Sequence, residues 1–337
     1  MKTIYLKTVL LSFTLCLSNL VMAQEETSDA PKKTFDLSGS VDTYFRYNLA
    51  DDQSQAPGTS FANQAGFAIG MANLIASYEG ERSGFVADLV FGPRGNDAVF
   101  GSTIGSSPIV NQLYAYFNVS DKLTLTLGNF NTFLGYEVIA PAANFNYSTS
   151  YMFSYGPFSH TGIKADIALS DDWSLMFGLL NPTDMTEFNA VDQYMFGAQL
   201  GFKGQYLNFL AGMGQTQIDF TGGFDLSERF FLGINATNYD SGDDTGFAGV
   251  ALYPQLNFTD SFALGLRVEA FSDDSYVFDQ AEVDNTSITL TGSFTSGNMI
   301  IKPELRLDSA SETIFTGADL DPVDNLASFL VAAIYSF

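Results

Sequence analysis

The chain has 337 residues, of which 15% are charged and 15% aromatic, and its 14 Lys and Arg stand against 38 Asp and Glu. The formal net charge of −24 excludes non-specific binding to nucleic acid, because a polyphosphate would be repelled. One Cys excludes a disulfide framework and a cysteine-based zinc site, while 32 Phe and 16 Tyr are too many for a disordered acidic tail.

Residues 1–23 are predicted to be a cleaved secretory signal peptide. Lys2 and Lys7 form a basic start, residues 9–21 are mostly apolar, and a small residue at Ala23 precedes the cleavage point. The apolar stretch is too short for a membrane anchor. Residues 24–34 are then a short polar lead-in, and residues 35–337 form a single domain.

Residues 35–48 alternate in character over their whole length. One face carries Phe35, Leu37, Val41 and Phe45, whereas the other is polar. Period-two alternation over such a length is long for a strand of a soluble sheet. No later segment reaches the roughly 18 consecutive apolar residues of a membrane helix. The mature chain is therefore predicted to consist of long β-strands.

The connections between the alternating segments differ in length. Very short polar turns, as at 120–122, alternate mostly with long connections, as at 93–109 and 131–158. This asymmetry indicates a transmembrane antiparallel β-barrel of the outer membrane with about 16 strands (range about 14–18), short periplasmic turns and long extracellular loops. A soluble β-sandwich or a β-solenoid fits the long strands and the aromatic content less well. The predicted strands are 35–48, 62–79, 83–92, 110–119, 122–130, 159–170, 173–181, 191–203, 205–213, 216–226, 229–239, 245–258, 262–272, 286–294, 299–308 and 325–337.

The last strand ends on an aromatic residue. Phe337, Tyr335, Ala333, Val331 and Phe329 share one face. A terminal Phe with an aromatic residue two positions before it resembles the assembly signal of Gram-negative outer-membrane barrels. It predicts recognition by the barrel-assembly machinery, and the alternative is an ordinary amphipathic strand.

Residues 111–187 carry a recognisable pattern. It includes the runs 112–116 and 125–130, the block Gly135-Tyr136-Glu137 and the run 144–148. This part of the sequence resembles the putative beta-barrel porin-2 family, the OmpL-like outer-membrane porins common in Bacteroidetes. The resemblance implies a channel-forming role in ion and solute transport and a Gram-negative outer membrane. Asn129 and Leu180 depart from the Lys and the Gly or Val expected there, which leaves the subfamily open.

The loop 131–158 is the longest and the third long one. By analogy with general porins it is expected to fold into the lumen and set the constriction, although an outward-facing surface loop is the alternative. Uncharged hydrogen-bonding side chains suit such a place. Glu137 is either a pore charge or an anchor for the loop. The pore candidates in this loop are Tyr136, Glu137, Asn144, Tyr147 and Tyr151.

Strand alternation also predicts which charged side chains face the lumen. Opposed basic and acidic walls create a transverse field that orients polar solutes. The alternative is local neutralisation by cross-strand ion pairs. The predicted inward residues are Arg46, Lys164, Lys203, Arg267, Lys302 and Arg306, with Asp42, Asp88, Asp166, Glu269, Glu304 and Asp308.

No reaction, metal or cofactor is expected. His160 is the only His, and the adjacent Ser159 points to the opposite strand face, so the two are not a nucleophile–base pair. His160 is expected to be an interfacial ring with its polar tip in water.

Acidic clusters such as Asp51-Asp52, Asp243-Asp244 and Asp273-Asp274 lack EF-hand spacing. They are expected to lie in solvated loops and to make the mouths of the pore prefer cations.

The predicted function is a passive, water-filled channel for small hydrophilic solutes, constricted by loop 131–158. The expected partners are outer-membrane lipid and lipopolysaccharide, with a homotrimer as a plausible assembly and no nucleic acid. One alternative is a sugar-selective channel, with Tyr44, Tyr114, Tyr116 and Tyr253 as a stacking stripe in the lumen. Another is a structural or adhesion barrel with a plugged lumen.

Overall fold

The computed structural model describes residues 33–49, 61–99, 109–274, 282–317 and 321–337. These residues form a closed antiparallel barrel of sixteen strands, in which each strand pairs with its chain neighbours and β1 pairs with β16. The predicted fold class is confirmed. The strands are β1 Thr34–Asn48, β2 Gly66–Glu79, β3 Ser83–Phe91, β4 Val110–Ser120, β5 Leu123–Asn131, β6 Ser159–Ala168, β7 Trp173–Leu180, β8 Met195–Phe202, β9 Gln205–Gly212, β10 Gln215–Asp225, β11 Phe230–Asp240, β12 Gly246–Thr259, β13 Phe262–Asp274, β14 Glu282–Ser296, β15 Met299–Ala310 and β16 Asn325–Ser336.

Alternation places apolar side chains outside the barrel and polar side chains inside it. On β1, Val41 is 48% exposed on the outer surface, whereas its neighbour Asp42 is 3% exposed. Closure leaves the barrel wall without a free edge, which a sheet in hydrocarbon requires. At the seam, the backbone N–H groups of Gly39 and Phe337 each donate to the other residue's carbonyl at 3.0 Å.

Most predicted strand ends agree with the structure to within two residues, but a few do not. β14 begins at Glu282 rather than at 286, since its ladder with β13 continues to the pair Asp274 and Glu282. In this extension the outward-facing residues are polar. The hydrogen-bonded ladder therefore continues beyond the segment in which apolar residues face the lipid. β2 and β8 begin four residues later than predicted, at Gly66 and Met195.

Two short helices lie in the long connections. They are α1, Pro93–Ala98, and α2, Tyr151–Tyr155, and Ser150 caps α2 by accepting a hydrogen bond from the N–H of Phe153. In the last long connection, Phe315–Thr316 pairs with Pro322–Val323. Among the described residues, no helix is long and apolar enough to cross a membrane. The predicted signal peptide, 1–23, lies outside the described residues.

Candidate functional site

The loop 131–158 lies inside the barrel. It leaves β5 and returns to β6, yet the Asn146 side chain donates to Thr291 Oγ1 on β14 at 2.7 Å. In the sixteen-strand ring β14 stands opposite β6, so the loop crosses the lumen. On the way, the N–H of Gly135 donates to Asp219 Oδ1 on β10 at 2.9 Å.

Carboxylates of the barrel wall hold the backbone N–H groups of the loop. Glu304 on β15 accepts from the N–H groups of Tyr147 and Ser148 at 2.8 and 3.2 Å. Glu269 on β13 accepts from those of Tyr151 and Met152, both at 2.9 Å. Hydrogen bonds to an ionised acceptor are stronger than neutral ones, and these fix the centre of the loop.

Guanidinium groups of the wall hold the carbonyls of the same segment. Arg267 on β13 donates to the carbonyl oxygens of Ser148 and Thr149 at 2.6 and 3.1 Å. Arg306 on β15 donates to the Thr149 carbonyl at 2.7 Å. Side chains of β13 and β15 therefore bind both the N–H groups and the carbonyl groups of residues 147–152, which we call the clamped segment.

Two further cations complete this clamp. Lys302 donates its Nζ protons to the carbonyls of Pro141, at 2.8 Å, and of Asn144. Arg94, on α1, donates to the carbonyls of Ile139 and Tyr147 at 2.9 and 3.1 Å. Sequence reasoning missed Arg94, because it lies between strands, where alternation gives no orientation.

Glu137 is an internal anchor of the loop. Its Oε1 accepts from Arg267 Nη1 at 2.7 Å and its Oε2 accepts from the Ser150 N–H at 2.6 Å. The residue is 5% exposed. Of the two roles left open by the sequence, this geometry favours anchoring over a pore charge. Asn144 has a similar role, since its side chain bonds both the N–H and the carbonyl of Val138.

Two ion pairs of the inner wall lie along single strands. Arg306 Nε is 2.9 Å from Asp308, and Lys164 Nζ is 2.8 Å from Asp166, each pair two residues apart. Local neutralisation thus occurs, and in these two pairs it runs along a strand, whereas the sequence suggested pairing across strands. Lys164 also lies 5.3 Å from the ring centroid of Phe130.

The expectation that Lys203 faces the lumen is wrong. It sits in the two-residue turn between β8 and β9 with a φ of 52°, is exposed, and lies 3.7 Å from Asp172. A turn breaks the alternation from which its orientation was inferred. Arg46 does lie inside, with Nη1 donating to the Asn63 carbonyl at 3.3 Å.

The aromatic residues of the loop cover part of the expected lumen stripe. Tyr136 stacks on Tyr253 with ring centroids 4.4 Å apart, and Tyr147 lies 5.6 Å from Tyr44 and donates its hydroxyl proton to Asp42. Tyr44 and Tyr253 are therefore buried under the loop, so the four-residue stripe does not form. Separately, Tyr151 stacks on Phe271 at 5.6 Å.

Glycines on the inner wall make room for these rings. A Cβ on Gly233 would lie 2.3 Å from the hydroxyl oxygen of Tyr136, and one on Gly265 would lie 2.3 Å from Cε1 of Phe145. Only a residue without a Cβ allows so close an approach. The loop is thus fitted to the wall by shape as well as by charge.

His160 is buried inside the barrel at the root of the loop. It is 1% exposed, its Nε2 lies 2.9 Å from Thr132 Oγ1, and its ring centroid is 5.0 Å from that of Phe133. The expectation of an interfacial ring with a wet tip is wrong, because Phe133 folds back over the ring. The described part of the chain contains no group of three or more His, Cys, Asp or Glu side chains placed to hold a metal ion.

A cavity of about 570 Å³ opens on the periplasmic side of the loop. The loop contributes Tyr136, Phe145 and neighbouring residues, and the wall contributes residues of β10, β11, β12, β14 and β15, most of them toward the periplasmic ends of these strands. A second cavity, of about 10 Å³, lies beside Arg46 and Arg306. The larger one is of the size of a small-molecule site.

The chain belongs to the putative beta-barrel porin-2, OmpL-like family, whose model matches residues 34–337. No curated protein matches the sequence. The protein is thus an outer-membrane porin, and its family and fold point to a channel rather than an enzyme.

Solved structures with a similar fold are outer-membrane proteins. An anion-selective porin from Comamonas acidovorans gives a TM-score of 0.62 at 11% identity, covering 91% of this chain and 100% of that chain. OmpT of Vibrio cholerae, in trimer form, gives 0.59 at 11% identity with coverages of 91% and 100%. The channel DcaP of Acinetobacter baumannii gives 0.57 at 12% identity with coverages of 90% and 97%. At these identities the likeness is one of fold.

Proposed function

We propose that this member of the porin family is a passive channel for small hydrophilic solutes, with loop 131–158 as a fixed constriction. The observation that carries the proposal is the clamped segment 147–152, which Glu269, Glu304, Arg267 and Arg306 hold inside the lumen. A loop fixed by charged wall residues narrows the pore permanently, so size exclusion needs no moving part. The uncharged side chains that it presents do not select one ion.

A mild cation preference follows from the extracellular mouth. Asp240 is exposed at the end of β11, and Asp243 and Asp244 are exposed in the connection that follows it. Hydrogen bonds from the side chains of Ser241 and Thr245 lower the pKa of Asp243, so it stays ionised at neutral pH. A mouth of fixed negative charge concentrates cations. Asp51-Asp52 lie outside the described residues.

A second candidate function is a structural or adhesion barrel with a plugged lumen. It is supported by an apolar cluster inside the barrel, in which Phe130, Phe133 and Leu134 pack against Met176 and Leu180. Packing of this kind excludes water. Conductance separates the two functions.

The test is conductance of the refolded protein in a planar lipid bilayer. Steady ohmic openings are expected in KCl, with a reversal potential displaced toward that of K⁺ in a salt gradient. Heat-modifiable gel mobility shows beforehand that the barrel is folded. Absence of openings from folded protein contradicts the channel and supports the plugged barrel.

Export and assembly are part of the same proposal. A signal peptide at 1–23 is cleaved before Gln24, and Phe337 with Tyr335 is recognised by the barrel-assembly machinery. The mature protein then contacts outer-membrane lipid and lipopolysaccharide and assembles as a homotrimer, without catalytic activity. Mass spectrometry of the outer-membrane form, with cross-linking in the native membrane, tests the N-terminus and the trimer.

A further inference from the structure

The 570 Å³ cavity combines aromatic rings with side-chain amides. Phe231 of β11 and Tyr136 and Phe145 of the loop supply rings, and Gln255 and Asn257 of β12 supply amides. Tyr136 rests with one ring face on Tyr253, so the stack forms a rigid wall of the cavity.

The charges around the cavity exclude an anionic ligand. Among the described residues that line it, Lys302 is the one cation, but its ammonium donates to the carbonyls of Pro141 and Asn144 and the residue is 2% exposed. Asp225, at the periplasmic end of β10, is the exposed acid of the lining. Within the described lining, an anion would find no available cation and would meet this carboxylate.

The same groups match a sugar ring. Apolar C–H faces of a pyranose pack on aromatic rings, and its hydroxyls need planar amide or carboxylate partners at the edges. We propose that this cavity is a binding subsite for neutral cyclic sugars, entered from the periplasmic side of the constriction. The inference deepens the proposed channel function and rests on it. It differs from the lumen stripe, since Tyr44, Tyr114 and Tyr116 take no part.

The test uses maltotriose as the probe in single-channel recordings. Maltotriose added on the periplasmic side is expected to interrupt the current at lower concentration than when added on the extracellular side. A polyethylene glycol of the same hydrodynamic size serves as the steric control and is expected to block more weakly. A subsite requires both differences.

Two variants of adjacent residues sharpen the test. Phe231 faces the cavity, whereas Phe230 precedes it on the outer face of the same strand. Phe231→Ala is expected to raise the half-blocking concentration of maltotriose about 3- to 10-fold, as removal of one aromatic contact does. Phe230→Ala is expected to leave it unchanged.

The outcomes separate the subsite from the channel. If the wild type conducts KCl but maltotriose and the polyethylene glycol block equally, or if Phe231→Ala behaves as Phe230→Ala does, the subsite is refuted and the channel stands. If folded wild-type protein gives no openings, the channel function itself fails. Equilibrium binding of maltotriose to detergent-solubilised protein, measured by calorimetry, then decides on the subsite, and absence of binding refutes it.

Discussion

Arg267→Met removes the residue that joins Glu137 to the clamped segment 147–152. Arg267 is fully buried, and its loss strands the Glu137 carboxylate in the barrel interior. Removing one partner of a buried ion pair costs about 3–5 kcal/mol. The cost falls on docking of the loop, since the barrel ladder keeps its backbone hydrogen bonds. Since about 1.4 kcal/mol changes an equilibrium constant tenfold, the ratio of docked to undocked loop falls roughly a hundredfold to several-thousandfold.

Single-channel recording measures this change. Arg267→Met is expected to give a larger mean conductance and more current noise than the wild type, with unchanged heat-modifiable mobility. Arg229→Met, in the exposed turn between β10 and β11, is the matched control and should match the wild type. Adding Glu137→Gln to Arg267→Met removes the stranded charge and should restore part of the docking. Wild-type conductance and noise in Arg267→Met would refute the clamp.

Three further predictions address packing, pH and assembly. Gly265→Ala places a Cβ against Phe145, and overpacking of about 1–3 kcal/mol should loosen the loop and increase the current noise. Gly292→Ala is the control, because its Cβ would meet no atom closer than 3.4 Å, and it should leave the noise unchanged. Equal noise in the two variants would contradict the close fit of the loop to the wall. Burial raises the pKa of Asp184 to about 7 although its carboxylate accepts two N–H bonds at the end of the loop. Ionisation of Asp184 is thus disfavoured in the folded state, so the stability of the fold should fall as the pH rises from about 4 through 7. Asp184→Asn should remove this contribution to the pH dependence of the melting temperature. A variant with the same pH dependence as the wild type would contradict the prediction. Phe337→Ala should lower the yield of folded barrel in cells but not on refolding in detergent, and a normal cellular yield would dismiss the assembly signal.

The barrel can be predicted from the sequence because lipid, instead of a protein core, covers its apolar residues. Each strand must present apolar residues outward and can be polar inward, so the period of two recurs from strand to strand. For this reason the sequence predicts all sixteen strands. The prediction fails where the ladder leaves the membrane, as at Glu282, since no lipid then selects the outward residues.

The clamp is not readable in the same way. Alternation gives the side of the wall on which Lys302, Glu304 and Arg306 lie, but not their partners. From the sequence, these residues form ion pairs with one another or a transverse field. In the structure, Glu304 accepts loop N–H groups and Lys302 donates to loop carbonyls, because the loop that supplies those groups has no periodicity of its own.

The position of the charges decides what they do. Glu269, Glu304, Arg267 and Lys302 are buried against the loop backbone, so their fields act on fixed peptide groups instead of on solutes in the lumen. A transverse field from these wall residues is accordingly weakened beside the loop. The exposed acids of the mouth, such as Asp243, remain in contact with water and ions. In the proposed channel, exposed acids such as Asp243 are therefore the charges that act on permeating ions, while the buried charges of the inner wall hold the loop in place.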